Sequence, residues 1–125
     1  MARVTGLGGV FFRSRDLEAS KRWYREVLGL GGDWGIMFPW RADGGDDPFS
    51  LLSPFKPDTD YFAPSEQPFM INLRVDDLEA FLPELEAKGV PVLGTQFEDY
   101  GKFAWIMDPD GIKIELWQQL GSAPA

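Results

Sequence analysis

Two residue types that carry much of enzyme chemistry, cysteine and histidine, do not occur in this 125-residue sequence. Without cysteine there is no thiolate nucleophile, no disulfide and no cysteine-ligated metal. Without histidine there is no imidazole base and no serine–histidine–aspartate triad. A bound metal would therefore need oxygen ligands, a set that favours Mg, Ca or Mn. Tyr24, Tyr61 and Tyr100 remain as nucleophiles, and nothing in the sequence activates them.

Two loops contain residue types that bind ligands in other proteins, but neither has the required spacing. Asp43, Asp46 and Asp47 flank a Gly-Gly pair, yet they lack the periodic ligands and the closing glutamate of a calcium loop. The glycine-rich stretch 29–32 follows a predicted helix, whereas the dinucleotide fingerprint follows a strand and opens a helix. We therefore interpret the first as a solvated loop and assign no phosphate site to the second.

The charge balance argues against a nucleic-acid partner. Twenty acidic residues against 12 basic ones give a formal net charge of −8, whereas nucleic acids require a basic face. No run of about 18 apolar residues predicts a membrane span, and the N-terminus lacks the apolar region of a secretory signal. We expect a cytoplasmic protein that binds neither nucleic acid nor membrane, with an acidic surface that serves mainly solubility.

The elements that must position any site are repeated along the chain. The segment Arg13–Ala19 recurs as Arg74–Ala80, with five identities in seven positions at an offset of 61 residues. An apolar strand-like run precedes each copy, and a helical pattern that ends at Gly29 or Gly89 follows it. The matching flanks favour an internal duplication over chance.

Each copy predicts a strand, a helix and further strands. Asp16 suits the cap of the first helix, and Asp76 or Asp77 suits that of the second. Pro83 removes a backbone hydrogen bond inside the second helix, so we expect a kink or a late start there. Candidate strands follow at 31–40 and 49–52 in the first half, and at 90–92, 102–107 and 112–117 in the second. Pro-Asp-Gly at 109–111 predicts a tight hairpin turn between the last two strands.

The predicted fold is α+β: two tandem βαβββ modules form one curved mixed sheet with helices outside and a concave pocket within. Module 1 covers about residues 4–56, a proline-rich linker covers about 57–68, and module 2 covers about 69–119 of a single domain spanning 1–125. Each module of about 60 residues would be marginal alone, so the two should share one core. The concave face is the natural ligand site.

Several short segments together carry a resemblance to a known family. They are Gly6–Val10, Asp16–Ser20, Trp23-Tyr24, Leu28–Leu30, Arg74–Leu78 and Asp108–Trp117. In this order, and duplicated, they resemble the glyoxalase / bleomycin-resistance / extradiol-dioxygenase (vicinal oxygen chelate) superfamily from about Val4 to Gln118. The resemblance does not fix an activity, because this fold hosts lyases, isomerases, dioxygenases, thiol transferases and drug-binding proteins.

The resemblance also marks four positions where the metal enzymes of the family hold a divalent ion. Here these positions carry Gly9, a residue near 50–52 without a carboxylate, Met70 and Glu115. One carboxylate among four does not make a site for a catalytic divalent ion, and the Met thioether is too soft to replace an oxygen ligand. We therefore predict no cofactor and no divalent metal.

The same resemblance orients the strands and so selects the candidate site residues. If Gly9, Met70 and Glu115 point inward, strand alternation turns a mixed set of aromatic, small and charged side chains to the pocket. The predicted ligand-binding residues are Phe11, Arg13, Met70, Asn72, Arg74, Phe103, Trp105 and Trp117, with Glu115 as the catalytic candidate. The large aromatics could equally belong to the core, and the charged residues could form ion pairs on a solvated face.

Three functions remain open. The favoured one is a small-molecule binder with an aromatic-lined groove and no metal centre, which sequesters a drug or metabolite. The alternative is a lyase or isomerase acting next to a carbonyl, metal-independent or with an atypical metal, in which Glu115 is the acid or base. The third is an interaction module whose groove is filled by its own side chains. The resemblance further implies a homodimer.

Overall fold

The computed structural model describes residues 2–32, 35–40 and 48–121. The acidic stretch 43–47 lies outside this part of the chain. The elements in chain order are β1 (Val4–Arg13), α1 (Leu17–Leu28), β2 (Ile36–Pro39), β3 (Phe49–Phe55), β4 (Phe69–Val75), α2 (Leu78–Ala87), β5 (Gly94–Glu98), β6 (Gly101–Met107) and β7 (Lys113–Gln119). Neither helix in the described residues is long and apolar enough to cross a membrane.

The strands form one mixed sheet in the order β2-β3-β1-β4-β7-β6-β5. The two halves join at its centre, where β1 pairs antiparallel with β4. Within each half the first strand pairs in parallel with the last, β1 with β3 and β4 with β7. The predicted α+β fold is therefore confirmed. Among the described residues the first half contributes three strands and the second half four.

The helix boundaries follow the capping residues in the sequence. Asp16 caps α1 by accepting the Ala19 amide, and Gly29 ends the helix with a positive φ of 70°, which glycine adopts without steric cost. In α2 the cap is Asp77, whose side chain accepts the Ala80 amide. The helix begins at Leu78 and includes Pro83, so the late start that proline suggested is wrong.

The predicted hairpin is confirmed. β6 and β7 pair antiparallel, with Met107 opposite Lys113. In the turn, Gly111 has a φ of 79°, and the Asp108 carboxylate accepts the amides of Asp110 and Ile112. The turn therefore fixes the register of the strand that carries Glu115.

The strand predicted at 90–92 is wrong. Pro91 has no N–H to donate to a neighbouring strand. Val90 and Val92 instead pack as partly buried side chains against the α2 core cluster. Pairing with β6 begins only where the Leu93 amide donates to the Trp105 carbonyl, and β5 proper starts at Gly94.

Strand alternation divides the core into two clusters. The α2 side of the sheet contains Val75, Leu78, Leu85, Ala104 and Leu116. The concave side contains Phe11, Phe49, Leu51, Phe62, Met70 and Trp117. The concave face is therefore a hydrophobic core of its own as well as a pocket, which is how the open sheet buries both of its faces.

Candidate functional site

A cavity of about 240 Å³ opens on the concave face. Its volume is slightly below the range of about 300–1,000 Å³ usual for drug-sized ligands, so it suits a compact molecule. Its wall is formed by strands β1, β3, β4, β6 and β7, by the segment between β3 and β4, and by the turn between β5 and β6. The lining residues are Phe11, Phe49, Leu51, Ser53, Phe55, Tyr61, Asn72, Tyr100, Phe103, Glu115, Trp117 and Gln119.

Glu115 lies in this wall and accepts hydrogen bonds on both of its carboxylate oxygens. Oε1 accepts from Asn72 Nδ2 at 2.6 Å. Oε2 accepts from Trp105 Nε1 at 2.8 Å and from the Tyr61 hydroxyl. The sheet register brings the strand partners together, because Asn72 on β4 and Trp105 on β6 both lie opposite Glu115 on β7. Three donors therefore converge on a carboxylate that is only 3% exposed.

Burial dominates the protonation of this carboxylate. It raises the pKa of Glu115 above the ordinary value, although the bonds from Tyr61, Trp105 and Asn72 and the positive charge of Lys113 act in the opposite direction. Burial and the adjacent Glu115 also raise the pKa of the Tyr61 hydroxyl, so this phenol stays a hydrogen-bond donor. Such a raised carboxyl pKa beside a cavity is typical of groups that exchange protons with ligands.

The segment predicted as a linker, residues 57–68, forms one side of the site. Phe62 is fully buried in the concave cluster, and the Tyr61 ring stacks on Phe55 with centroids 5.5 Å apart. Two inward-facing cations hold its backbone: Arg13 donates to the Thr59 carbonyl at 3.3 Å and Lys113 donates to the Tyr61 carbonyl at 2.5 Å. This segment is therefore a fixed wall of the groove.

Arg74 is buried behind the cavity wall. Its guanidinium lies 4.3 Å above the Trp117 ring and donates to the Phe49 carbonyl and to Gln119 Oε1. Burial lowers its pKa from the ordinary value. Arg74 thus supports two aromatic wall residues, and its guanidinium donates its hydrogen bonds to other groups of the protein.

The structure brings five of the nine predicted site residues into the cavity wall: Phe11, Asn72, Phe103, Glu115 and Trp117. The other four lie outside it. Met70 is fully buried in the concave cluster, Trp105 contacts Glu115 through its indole N–H, and Arg13 and Arg74 bind the protein's own carbonyls.

Sequence reasoning missed several wall residues, above all Tyr61. It lies in the proline-rich stretch, where no periodicity indicates which side chains turn inward. The adjacent aromatic pair Tyr61-Phe62 in an otherwise polar segment was the available signal. Phe49, Leu51, Ser53 and Phe55 were missed because the register of β3 was not readable from the sequence. Tyr100 and Gln119, at the ends of the last hairpin, were missed as well.

The residues at the family's metal positions do not fit a divalent cation. At Gly9 a Cβ would meet the Leu51 carbonyl oxygen at 2.3 Å, so this position has no room for a ligating side chain. Met70 offers only a buried thioether, and both Glu115 oxygens already accept N–H or O–H groups. Across residues 2–32, 35–40 and 48–121, no group of three His, Cys, Asp or Glu side chains could hold a metal.

A family comparison agrees with the architecture. The model of the Glyoxalase/Bleomycin resistance protein/Dioxygenase superfamily matches residues 6–116. A search of curated proteins finds no match.

Solved structures show the same fold at low identity. A Streptomyces coelicolor methylmalonyl-CoA epimerase variant in complex with 2-nitronate-propionyl-CoA is 18% identical with a TM-score of 0.72, and the match covers 98% of this chain and 100% of that one. The Mycobacterium tuberculosis methylmalonyl-CoA epimerase is 21% identical with a TM-score of 0.65, covering 97% and 90%. A Mn(II)-bound glyoxalase from Novosphingobium aromaticivorans is 23% identical with a TM-score of 0.66, covering 100% of this chain and 42% of that one.

Proposed function

Because the chain belongs to the glyoxalase / bleomycin resistance protein / dioxygenase superfamily, we propose that it binds a small organic molecule in its concave cavity without a divalent metal centre. The observation that carries this proposal is the hydrogen bonding of Glu115. A metal-ligating carboxylate directs its lone pairs to the cation, but here Tyr61, Trp105 and Asn72 direct their hydrogens at both oxygens. The carboxylate is thus already satisfied without a metal.

The walls favour a flat, largely apolar ligand. Phe103 and Trp117 lie nearly parallel, with an angle of 7° between their rings, and Phe11, Phe49 and Phe55 add further aromatic surface. Aromatic walls bind planar rings by stacking and by burial of apolar area. A cavity of about 240 Å³ suits a molecule of one or two fused rings. Sequestration of such a drug or metabolite is the function that this arrangement supports best.

The first experiment measures metal content. Protein purified without a histidine tag or chelator is analysed by elemental mass spectrometry, and we expect well below one divalent ion per ten chains. One divalent ion per chain would overturn the proposal and favour the enzymatic alternative. A thermal-shift screen of aromatic compounds then identifies ligands.

A matched pair of variants locates the binding. Phe103→Ala removes a wall ring and should weaken a screened ligand about tenfold or more, since an aromatic contact is largely lost. Phe97→Ala removes an exposed ring on β5 that does not line the cavity, and it should leave affinity unchanged. Equal affinities in both variants, measured by calorimetry on folded protein, would exclude the concave cavity as the site.

A second candidate function rests on the burial of Glu115. A cavity-facing carboxyl with a raised pKa can take and return a proton next to a carbonyl, which would make the protein a lyase or isomerase. The structural neighbours include methylmalonyl-CoA epimerases, so methylmalonyl-CoA is a rational probe. Exchange of its α-proton in D₂O, followed by NMR, should be abolished in Glu115→Gln if this candidate holds. A sequestering protein shows no exchange and keeps its ligand affinity in the same variant.

We also infer a homodimer located in the cytoplasm. The dimer rests on family resemblance, and the location rests on the absence of cysteine from the sequence. Light scattering at micromolar concentration should give twice the chain mass of 14.1 kDa. A mass near 14.1 kDa would refute the dimer.

A further inference from the structure

A second and larger cavity, of about 410 Å³, lies between α1 and the end of β3. It is distinct from the concave site, although Ser53 and Phe55 border both. Its lining residues are Leu17, Lys21, Tyr24, Arg25, Leu30, Gly31, Gly32, Gly35, Ile36, Ser53, Pro54, Phe55, Lys56 and Thr59.

The two copies of the repeat differ in the helix residues at this place. At the offset of 61 residues, Lys21 corresponds to Leu82 and Tyr24 corresponds to Leu85. In the second half, Leu85 is buried and Leu82 packs against the α2 core cluster. In the first half, α1 has no buried residue at all. A lysine thus occupies the position that holds a core-packed leucine in the other copy, and it lines a cavity instead of packing against a core cluster.

The charged side chains among the described lining residues are all basic. Lys21 and Arg25 lie one turn apart on α1, and Lys56 follows β3 on the other wall. No acidic side chain is among the lining residues that the structure describes. This local excess of positive charge contrasts with a net charge of −8 for the chain. A concave, basic surface raises the local concentration of anions.

Apolar side chains and an open strand edge complete the cavity. Ile36, Tyr24 and Phe55 provide apolar surface next to the cations. β2 begins at Ile36, opposite Leu52, so residues 53–55 of β3 have no strand partner on that side among the described residues. Their backbone edge therefore borders the cavity. The cavity combines an apolar floor with a cationic rim, the arrangement that suits an amphipathic anion.

We propose that this cavity is a second ligand site, which binds a small organic anion with its apolar body on Tyr24, Ile36 and Phe55. The anionic group, a carboxylate in the simplest case, contacts Lys21, Arg25 and Lys56. Each contact is a charge-assisted hydrogen bond at a partly exposed rim. This site takes a ligand of its own, although it shares Ser53 and Phe55 with the concave cavity.

The probes are 2-naphthoate and its neutral counterpart 2-naphthamide, titrated into the full chain by calorimetry. We expect measurable affinity for the carboxylate that falls with added salt, and weaker binding of the amide. In ¹H–¹⁵N spectra the carboxylate should shift the amides of Lys21, Tyr24 and Gly35. Shifts confined to Phe103 and Glu115 would place the probe in the concave cavity and overturn the proposal.

Two charge-matched triple variants provide the control. Lys21→Gln/Arg25→Gln/Lys56→Gln removes the rim, and Arg15→Gln/Arg22→Gln/Lys88→Gln removes three exposed cations outside the lining. Both lower the net charge equally, so general electrostatic attraction is matched. The rim variant should bind 2-naphthoate about tenfold more weakly, while the control variant should stay within about twofold. Equal losses in both would overturn the proposal.

A cavity-filling variant tests the same site through stability. Lys21→Leu places a leucine where the second copy has Leu82, so it should raise the melting temperature and reduce 2-naphthoate binding together. Unchanged affinity in this variant would overturn the proposal, whatever happens to its stability.

Discussion

Replacing Glu115 by leucine tests how much the carboxylate in the concave site contributes to the stability of the fold. Three donors would lose their acceptor: Asn72 Nδ2, Trp105 Nε1 and the Tyr61 hydroxyl. Each buried donor left unpaired costs about 1–3 kcal/mol. Asn72 is fully enclosed, whereas Tyr61 and Trp105 are only partly buried and can reach water. We therefore expect the free energy of unfolding to fall by about 3–5 kcal/mol, a large part of the stability of a small domain.

Replacing Glu115 by glutamine should have a far smaller effect. The new amide oxygen can accept from Tyr61 and Trp105. Its NH₂ group can donate to Asn72 once that amide turns over, because Asn72 Oδ1 is buried without a partner among the described residues. All three hydrogen bonds are thereby preserved, and no charge is buried. We expect stability within about 1 kcal/mol of the wild type at neutral pH.

The stabilities of the wild type and of Glu115→Gln should differ more as the pH rises. The pKa of Glu115 is raised in the folded state, so the folded chain holds this proton more tightly than the unfolded chain. Wild-type stability from this group is therefore greatest below the ordinary pKa of 4.5 and falls as pH rises through the folded pKa. Glu115→Gln lacks this fall, so it gains on the wild type as pH increases.

The assay is urea unfolding followed by tryptophan fluorescence at pH 5 and pH 8. Glu86→Leu, at an exposed position on α2, is the matched control and should change stability by no more than about 0.5 kcal/mol. A leucine variant as stable as the wild type would show that the three donors do not depend on Glu115. A glutamine variant as unstable as the leucine variant would show that the negative charge itself is required.

Three further substitutions test other contacts described above. Tyr61→Phe removes a hydrogen-bond donor that lowers the pKa of Glu115, so this pKa should rise further. In urea unfolding at a series of pH values, the fall in stability caused by Glu115 should then continue to a higher pH than in the wild type. An unchanged pH profile would contradict this. Gly8→Ala places a Cβ 1.9 Å from Asn72 Oδ1 and should cost about 1–3 kcal/mol in calorimetric unfolding, and an unaltered melting temperature would refute the close approach. Asp77→Ala removes the cap of α2 and should cost about 1 kcal/mol by the same measurement, whereas no change would show that the cap is redundant.

The fold was predictable because its local signals are chemically specific. Asp16 and Gly29 bracket α1 as capping rules require, and Gly111 permits the turn that sets the last hairpin. The strand predicted at 90–92 was wrong because the prediction followed the strand preference of Val90 and Val92 and ignored the missing N–H of Pro91. Tertiary packing on the α2 cluster explains those valines, and no local pattern distinguishes such packing from a strand.

The candidate site was only partly predictable. Alternation along β4 and β7 placed Asn72, Glu115 and Trp117 on the concave face, and all three line the cavity. The roles of Arg13 and Arg74 could not be inferred, because the carbonyls that they bind belong to segments distant in the sequence. Tyr61 was not predicted for a different reason: it lies in an irregular segment, where no periodicity shows which way a side chain points.

The hydrogen bonds around Glu115 also bear on how the chain folds. Its partners Tyr61 and Asn72 lie 54 and 43 residues away in sequence, and β1 and β4 must pair across α1 and the wall segment 57–68. Closing such loops lowers the entropy of the chain before the stabilising contacts form, so a topology of this kind folds slowly. No hairpin or helix can assemble this cluster alone. Only the contact between Trp105 and Glu115 lies within one hairpin. The carboxylate therefore gains its other two donors only when β4 and the wall segment 57–68 have joined β7.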